Sequence, residues 1–433
     1  MSEDFESIVT AIPGPRSMEL ARRLAAVEPQ GVTYLGDDAP VFWERASGST
    51  VTDVDGNRYL DLTSAFGVAA TGHTNAYVAA EIADQAERLI HGMGDVHPTE
   101  VRTQLLEALA ELAPGDLQKT YLTTSGSEAI EFALKTALLA SGKSRFIAYR
   151  GAYHGLSLGA LEVAGIAKFR DPFAPLVADR ATFLAYPGAN ATVAGTIAAL
   201  RDALDADPDA GTIVLEPIQG RGGVIVPPDG FLSAVRSLCD ERNLVMILDE
   251  IYTGFGRTGT MFACDRERVV PDLLCVGKAL GGGVPIAATI GTARVMDAWP
   301  KSTGEALHTS TFLGNPLACA AALANLSQLA QLDLVARVAQ RAGTLGERLR
   351  AFGRLPGVVD VRGRGFLCGV EFADAALANA VVVRGLGLGA ILLQSGPTGT
   401  SITIAPPLTI GDEQLARALA LFERAVTAAR ESR

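Results

Sequence analysis

The stretch LVMILDEIYTGFGRTG, residues 244–259, gives the clearest indication of the fold and raises a question about charge. A run of apolar residues leads directly into Asp249 and Glu250, and a glycine-rich turn follows. Such a run predicts a buried strand, whereas an ionised carboxylate is rarely buried alone because its desolvation is costly. Either both carboxylates point to water at the strand end, or at least one of them meets a fixed positive charge.

Similar apolar, β-branched runs alternate with amphipathic segments from about residue 50 to residue 330. The predicted strands are 119–124, 145–150, 212–217, 244–249, 273–277 and 287–291, and the clearest predicted helices between them are 128–140, 194–206 and 231–243. Near-continuous apolar strands that alternate with helices predict an α/β domain, whose mainly parallel sheet is covered by helices on both faces.

The two ends of the chain differ from this central region. A helical stretch, two strand-like stretches and a last helix follow residue 330, which predicts a smaller α+β domain. Near the N-terminus, residues 41–62 predict a hairpin around Asp55-Gly56. We therefore predict an N-terminal arm over residues 1–52 that packs with the small domain, a large domain over 53–330, and a C-terminal small domain over 331–433.

The composition narrows the class of protein. Of the 433 residues, 48% are hydrophobic and 20% are charged, which is typical of an ordinary globular protein. A net charge of -11 argues against nucleic-acid partners and against an anionic membrane surface. The acidic first residues do not resemble a signal peptide, and no apolar run is long enough to span a bilayer. The five scattered cysteines predict a reduced, cytoplasmic protein, and the five histidines lack metal-ligand spacing, so no metal site is predicted.

The segment TTSGSEAIEFALKTA, residues 123–137, reads as a strand end, a turn and the start of a helix. The free N–H groups and the dipole at a helix N-terminus bind anions such as phosphate, and Ser125, Gly126 and Ser127 lie at that point. Ser125 and Glu128 also match a capping box, which requires no ligand. Both interpretations stay open on this segment alone.

A second loop, RGAYHG, follows the predicted strand 145–150. Ligands in open α/β sheets bind beyond the carboxyl ends of the strands, and Tyr153 and His154 fall at such an end. An aromatic side chain there is suited to stacking on a flat ring, although the signal is weak by itself.

A lysine with unusual neighbours lies in LLCVGKALGGG, residues 273–283. Most lysines are solvated surface residues, but Lys278 stands between a buried-looking strand and three glycines. A poorly hydrated lysine has a lowered pKa and becomes a nucleophile of the kind that forms Schiff bases.

These pieces together match the needs of one cofactor. Pyridoxal phosphate requires a lysine for its aldehyde, a helix N-terminus for its phosphate and a carboxylate for its ring nitrogen. Lys278 and the start of the helix at Gly126 supply the first two, and Asp249 at its strand end supplies the third. A pyridinium charge is then the positive partner that compensates for the burial of Asp249.

A competing motif occurs in the opening stretch. Gly254, Gly256 and Gly259 match the dinucleotide-binding pattern G-x-G-x-x-G, which normally opens a helix after the first strand of a βαβ unit. Turn-forming and β-prone residues with a proline follow here instead of an amphipathic helix. The sequence therefore disfavours a nicotinamide or flavin nucleotide.

The whole set of motifs resembles the class III, or ω-type, aminotransferases of the pyridoxal-phosphate fold type I group, and this resemblance implies a seven-stranded-type sheet in the large domain. The resemblance extends from DVDGNRYLDL near residue 53 to APPLTI near residue 405. It rests on SGSEA, AYHG, EPIQG, LDEIYTGFGRTG, CVGKALGGG and TFLGNP, which occur in the order found in the family. Six motifs in order are far more specific than any one of them.

The resemblance implies a role for each matching residue. Lys278 resembles the lysine that holds the cofactor as a Schiff base and moves a proton, and Asp249 resembles the carboxylate at the ring nitrogen. The matching cofactor contacts are Ser125, Gly126, Ser127, Tyr153, His154, Ile251, Tyr252 and Thr311. Thr311 resembles a threonine that reaches a phosphate across a dimer interface, which implies a homodimer. Glu216 resembles a glutamate near the substrate.

The chain departs from the family pattern at three places. Ile251-Tyr252 replaces the common V-Q, so a glutamine contact near the ring oxygen is missing. Thr403 stands where members that act on ornithine or γ-aminobutyrate usually carry an arginine, and Arg221 stands where a glutamate is common. Arg221 is then either a binder of a substrate carboxylate or an ordinary surface arginine.

The resemblance implies an enzyme that moves an amino group from an amine or amino acid to pyruvate or 2-oxoglutarate in a ping-pong reaction. A racemase or epimerase on the same scaffold is the alternative, since it would use the same lysine. A binding protein that keeps the scaffold without turnover is disfavoured by the joint presence of Lys278, Asp249 and the phosphate loop.

Overall fold

The computed structural model describes residues 5–36 and 40–431. Residues 1–4, 37–39 and 432–433, which belong to the predicted arm and to the end of the predicted small domain, lie outside the described residues.

The described residues form strands and helices over most of their length. The strands are β1 (Trp43–Ser47), β2 (Thr50–Asp53), β3 (Arg58–Asp61), β4 (Leu117–Thr123), β5 (Arg145–Tyr149), β6 (Ala181–Leu184), β7 (Ala210–Leu215), β8 (Val245–Asp249), β9 (Leu273–Val276), β10 (Ala287–Thr292), β11 (Val358–Arg364), β12 (Leu367–Phe372), β13 (Ala390–Ile391), β14 (Leu393–Ser395) and β15 (Ser401–Ile404). The helices are α1 (Pro15–Ala25), α2 (Ser64–Gly67), α3 (Ala76–Arg88), α4 (Glu100–Leu112), α5 (Gly126–Ser141), α6 (Leu158–Glu162), α7 (Ala167–Arg170), α8 (Val193–Ala206), α9 (Phe231–Arg242), α10 (Ala293–Met296), α11 (Pro316–Gln331), α12 (Leu334–Ala351), α13 (Ala375–Gly387) and α14 (Asp412–Glu431).

A seven-stranded sheet, ordered β4-β10-β9-β8-β7-β5-β6, forms the centre of the molecule. Strands β9, β8, β7, β5 and β6 pair in parallel, while β10 pairs antiparallel with both β4 and β9. Strand β4 therefore runs in the same direction as the parallel strands, and β10 alone is reversed. The predicted α/β fold with a mainly parallel sheet is confirmed.

Helices cover both faces of this sheet. Along β8, Ile247 belongs to one hydrophobic cluster with residues of α5, while Met246 and Leu248 belong to a second cluster with residues of α8, α9 and α11. Successive side chains of a strand point to opposite faces, so a strand covered on both sides must be apolar throughout. This requirement explains why the apolar runs of the sequence are continuous rather than alternating.

Two smaller sheets lie outside the central one. Strands β11, β12, β15 and β14 form an antiparallel sheet near the C-terminus. Strands β1, β2 and β3 form a meander, in which β2 and β3 are the predicted hairpin around Asp55-Gly56. Strand β3 also pairs in parallel with β13, which ties the N-terminal meander to the C-terminal part of the chain. The predicted boundary at residue 52 falls inside this sheet, and the domain boundaries stay a prediction.

No single helix among the described residues is long and apolar enough to cross a membrane. Helix α11 and the segment Leu334–Arg354 meet the length and composition requirement only as a pair, and they are bent by 58°.

Candidate active site

A cavity of about 550 Å³ lies where several strands of the central sheet end. The strands β4, β5, β7, β8 and β9 run in one direction, so the residues that follow them meet at one edge, as is usual for ligand sites in open α/β sheets. The lining residues are Phe66, Gly126, Ser127, Tyr153, His154, Gly155, Leu156, Glu216, Gly220, Arg221, Asp249, Ile251, Tyr252, Lys278, Leu393, Ser395 and Thr403. A larger cavity of about 910 Å³ lies beside α12 and β11, and neither Lys278 nor Asp249 lines it.

Asp249 ends β8 and is only 4% exposed. One of its oxygens lies 2.8 Å from Nδ1 of His154, and the other accepts a hydrogen bond of 3.0 Å from the backbone N–H of Ile251. Burial acts to lower the pKa of His154, but the hydrogen bond and the charge of Asp249 raise it above its ordinary value. The carboxylate is thus held in one orientation by His154 and by the Ile251 N–H.

Glu250 is fully buried, and its partners differ from those of Asp249. Its carboxylate accepts hydrogen bonds from the backbone N–H groups of Ala263 and Cys264 at 2.7 and 2.8 Å, and from the hydroxyl of Thr253 at 2.8 Å. Burial raises the pKa of Glu250, and these donors oppose the shift. Neither carboxylate of the opening stretch faces bulk water, and Glu250 is satisfied by neutral donors rather than by a positive charge.

Lys278 follows β9 and begins a short 3₁₀ turn, Lys278–Gly281. Its φ of 41° is unusual for a residue with a side chain, and such strained positions cluster at functional sites. Burial lowers the pKa of the ammonium, while the charges of Asp249 and Glu216 partly oppose this shift. The lysine is therefore more easily deprotonated than one on a solvated surface.

Tyr252 lies beside this lysine, with its ring centroid 4.7 Å from the Lys278 Nζ. Its hydroxyl is buried without a hydrogen-bond partner among the described residues, and burial raises its pKa to about 12. Ile251, the preceding residue, packs against the backbone at Gly126 and Gly277. Ile251 therefore lies between the lysine loop and the start of α5, and Tyr252 lies beside the lysine itself.

The start of α5 contains both a capping box and a helix N-terminus that lines the cavity, the two interpretations that the sequence left open. Ser125 is exposed and caps the helix, since its hydroxyl accepts from the backbone N–H of Glu128 at 3.3 Å and Glu128 accepts in return. Gly126 and Ser127, but not Ser125, line the cavity. The Ser127 and Ser157 hydroxyls lie 2.6 Å apart. A Cβ at Gly126 would come within 2.8 Å of the end of the Ile251 side chain, so a larger residue there would have to displace Ile251.

Tyr153 and Glu216 lie just after the ends of two neighbouring strands, β5 and β7. The backbone N–H groups of Tyr153 and Gly220 donate to the Glu216 carboxylate at 3.0 and 2.8 Å. Burial raises the pKa of Glu216 to about 7, while His154 lowers it and Asp249 raises it. Glu216 therefore fixes the loop that carries Tyr153 as well as the loop that carries Arg221.

Thr311, predicted to act across a dimer interface, is exposed and does not line the cavity of its own chain. Its role therefore stays a prediction. The other residues predicted for the site, apart from Ser125, line one cavity.

The competing glycine motif does not open a helix. Residues 254–259 form consecutive turns, and the next helical segment is the 3₁₀ turn Ala263–Glu267. This arrangement does not match a dinucleotide-binding strand, turn and helix.

Several lining residues were not singled out from the sequence. Phe66 is 63% exposed at the cavity, in a run from Ser64 to Gly67 in which each residue has a positive φ. A hydrogen bond of 2.6 Å from the Ser64 hydroxyl to the Ala405 carbonyl holds this run against a distant segment. Leu156, Leu393 and Ser395 also line the cavity. Their sequence neighbourhoods carry no signal for this, because distant contacts decide where they lie.

The residues of this cavity fit pyridoxal phosphate. The site offers an amine at Lys278, a carboxylate at Asp249 and the first N–H groups of α5 at Gly126 and Ser127. Two buried polar atoms of lining residues, His154 Nε2 and the Tyr252 hydroxyl, have no protein partner among the described residues. Buried polar groups normally have partners, so such atoms suggest a ligand with polar groups of its own.

Comparisons with known proteins agree with this geometry. The sequence pattern described as "Aminotransferase class-III" matches residues 34–426. The structure is similar to the ornithine aminotransferase from Toxoplasma gondii ME49, with 31% identity, a TM-score of 0.87, and coverage of 96% of both chains. It is also similar to a transaminase from the marine bacterium Virgibacillus (25% identity, TM-score 0.90, 96% of this chain and 99% of that one). A Bacillus anthracis aminotransferase gives 26% identity and a TM-score of 0.89 over 95% of this chain and 99% of that one.

Proposed function

The chain belongs to the class III aminotransferase family, and on this premise we propose the reaction, the cofactor contacts and the assembly of the enzyme. It is a pyridoxal-phosphate-dependent homodimer that moves an amino group from an amine or amino acid to pyruvate or 2-oxoglutarate in a ping-pong reaction. The family is pyridoxal-phosphate-dependent, and a structure of the Toxoplasma gondii ornithine aminotransferase is described with partial occupancy of this cofactor at its active site. The placement of Lys278 and Asp249 on one cavity, beside the start of α5, is the observation that carries the proposal.

Lys278 performs two tasks in this proposal. Its amine would hold the cofactor through the aldehyde, and its Nζ would accept the proton from the substrate carbon that bears the amino group. The pKa of Lys278 is lowered by burial, which increases the neutral fraction needed for both tasks. The bound cofactor supplies electron withdrawal from that carbon.

The other residues orient and retain the cofactor. Asp249, fixed by His154 and by the Ile251 N–H, would hold the ring nitrogen and favour its protonated form. The N–H groups of Gly126 and Ser127 bind the phosphate, helped by the dipole of α5. Tyr153 would stack on the ring. Tyr252 occupies the sequence position at which the family commonly has a glutamine, and its hydroxyl has no partner among the described residues.

Glu216 and Arg221 act on the substrate side of the cavity. Glu216 holds the loop from Pro217 to Gly220 through the Gly220 N–H, which fixes the backbone that carries Arg221. Arg221 then presents a cation to the substrate.

A cytoplasmic location is part of the proposal. The five cysteines are buried and unpaired in the structure, as expected for a protein that folds in a reducing compartment.

The test uses Lys278→Ala with Lys143→Ala as a matched control, because Lys143 lies just beyond the far end of α5. Purified wild-type protein and the control should absorb in the near-ultraviolet or visible range, because the cofactor bound to the lysine is a conjugated chromophore. They should also change spectrum with an amine donor and recover with a keto acid. Lys278→Ala should do neither at a comparable rate. Full turnover by Lys278→Ala contradicts the assignment.

Racemisation is separated from transfer by a second measurement. A racemase exchanges the substrate proton for deuterium from heavy water without needing a keto acid, whereas the proposed enzyme stops after one half-reaction. Repeated exchange with inversion of the substrate, in the absence of any keto acid, contradicts the aminotransferase proposal.

A further inference from the structure

Cationic side chains are few on the cavity wall. Among the described lining residues, Lys278 and Arg221 are the only lysine and arginine. Lys278 is committed to the cofactor in the proposed function, and the lining histidine, His154, is paired with Asp249. Arg221 is therefore the one cationic side chain of the described wall that remains for a substrate.

Arg221 is held in place but is not neutralised. Its Nη1 donates to the backbone carbonyl of Gln394 at 3.0 Å, and its own carbonyl accepts from the Gly396 N–H at 3.0 Å. No carboxylate among residues 5–36 and 40–431 forms an ion pair with it. A guanidinium has five N–H donors in a planar fork, so a single bond to a carbonyl leaves room for a bidentate carboxylate contact.

Apart from the Glu216 carboxyl group, the described lining residues on the remaining substrate side of the cavity carry no charge. Thr403 donates from its hydroxyl to the Ser395 hydroxyl at 2.7 Å, and both residues are 1% exposed. The other neighbours there are the apolar side chains of Phe66, Leu156 and Leu393. A second carboxylate placed in this region would lose water without gaining a cation, which is unfavourable.

We propose, on the basis of the proposed function, that Arg221 determines substrate specificity by binding the single carboxylate of each substrate. The enzyme then acts on amino acids and keto acids with one carboxylate, such as pyruvate, in preference to dicarboxylates such as 2-oxoglutarate. The carboxylate contact comes from the loop after Glu216, while position 403 contributes only a hydroxyl.

Binding of unreactive acids tests this directly. Propionate and glutarate would be titrated into the holoenzyme by calorimetry, with Arg221→Gln as the variant. The control is Arg201→Gln, because Arg201 is paired with Glu241 on α9, outside the cavity lining. Wild type and control should bind propionate more tightly than glutarate, and Arg221→Gln should weaken propionate about 10-fold or more, the loss expected for a charged hydrogen bond. Equal or tighter binding of glutarate, or unchanged propionate affinity in Arg221→Gln, overturns the proposal.

Turnover gives a second, independent measurement. The ratio of kcat/KM for pyruvate to that for 2-oxoglutarate should be about 10 or more in the wild type, and Thr403→Arg should lower it by supplying a second cation. Leu156→Arg, at a position 48% exposed, replaces Thr403→Arg if the buried substitution prevents folding. A wild-type ratio near or below one overturns the specificity proposal but leaves the aminotransferase function intact. Absence of amino transfer with every donor and both keto acids contradicts the function itself.

Discussion

Asp249 and Glu250 are adjacent, but their side chains do different work. Asp249 faces the cavity and interacts with His154, whereas Glu250 points into the protein and accepts hydrogen bonds from a turn that begins at Ala263. Successive residues at a strand end point to opposite sides, so two neighbouring carboxylates are naturally separated in this way. Asp249 belongs to the site, and Glu250 holds the turn at Ala263 in place.

The protonation of Glu216 makes the stability of the folded protein depend on pH. Burial raises its pKa from an ordinary 4.5 to about 7, so the folded protein keeps a proton on this carboxyl where the unfolded chain has lost it. The folded state then binds more protons than the unfolded state between these values, and its stability falls as the pH rises through this range. The pKa of His154 is raised as well, which acts in the same direction near and above pH 6.5.

We therefore predict that the free energy of unfolding of the cofactor-free protein decreases between about pH 5 and pH 8, by on the order of 3 kcal/mol at most from Glu216. Urea unfolding at several pH values measures this change. Glu216→Gln should reduce the slope, although it lowers stability at every pH because an amide replaces one of two acceptors. A slope that is the same in the variant and the wild type would contradict the role given to Glu216.

The sequence predicts the roles of some residues of the site but not those of others. Lys278 and Asp249 were predictable, because a lysine among small residues and a carboxylate after an apolar strand are unusual locally. The neutral donors of Glu250 were not, since they come from residues 263 and 264, which fold back through a turn. Phe66 was missed because its position depends on the contact of Ser64 with Ala405, which is far away in the sequence.

The N-terminus of α5 combines a cap and a ligand site in successive residues. The exposed Ser125 makes the capping box with Glu128, and Gly126 and Ser127 turn toward the cavity. The two interpretations of the sequence are thus compatible, because they concern different residues. The cap keeps the helix start in place, and the uncapped N–H groups remain for an anion.

Two substitutions separate these roles. Ser125→Ala should lower the free energy of unfolding by about 1 kcal/mol through loss of the cap, with little change in cofactor affinity. Gly126→Ala should weaken cofactor binding, because the new Cβ would lie 2.8 Å from Ile251 and push a cavity residue. Thermal unfolding and titration with pyridoxal phosphate measure the two quantities. The opposite pattern, with affinity lost in Ser125→Ala alone, would contradict the division.

The sequence predicts the positions of most central strands, but it does not predict that one of them runs in the opposite direction. Buried parallel strands are continuously apolar, which makes them visible in the sequence. The reversal of β10 has no such signal, because an antiparallel strand buried on both faces has the same composition. Strand β6 was missed because it is short and lies at the sheet edge. Only one of its four residues is buried, so it lacks a continuous apolar run.

The whole molecule carries a surface that suits a dimer. Thr311 lies in a loop with two exposed apolar side chains, Leu307 at 70% and Phe312 at 58%. Met93 and Val96, each 57% exposed, lie in a second segment. A hydrogen bond of 2.6 Å from the Thr309 hydroxyl to the Asp95 carboxylate joins the two segments. Exposed apolar patches on a folded protein commonly mark an interface.

We predict a dimer of about 90 kDa, twice the 45.1 kDa of the chain, by analytical ultracentrifugation. Phe312→Asp should dissociate it by placing a charge in the interface, whereas Val359→Asp on β11 should not. Thr311→Ala should leave the dimer intact and weaken cofactor binding about 10-fold, the effect of one hydrogen bond to a charged group. A monomeric wild type with full activity would contradict the assembly.

Reduction of the purified, coloured protein with borohydride, followed by digestion and mass spectrometry of its peptides, tests the central claim most directly. Borohydride makes a bond between a lysine and the cofactor aldehyde permanent, so the modified peptide identifies the lysine. The account predicts a phosphopyridoxyl group on Lys278 and on no other lysine. A coloured protein whose adduct lies on a different lysine, or that carries no lysine adduct, would contradict it.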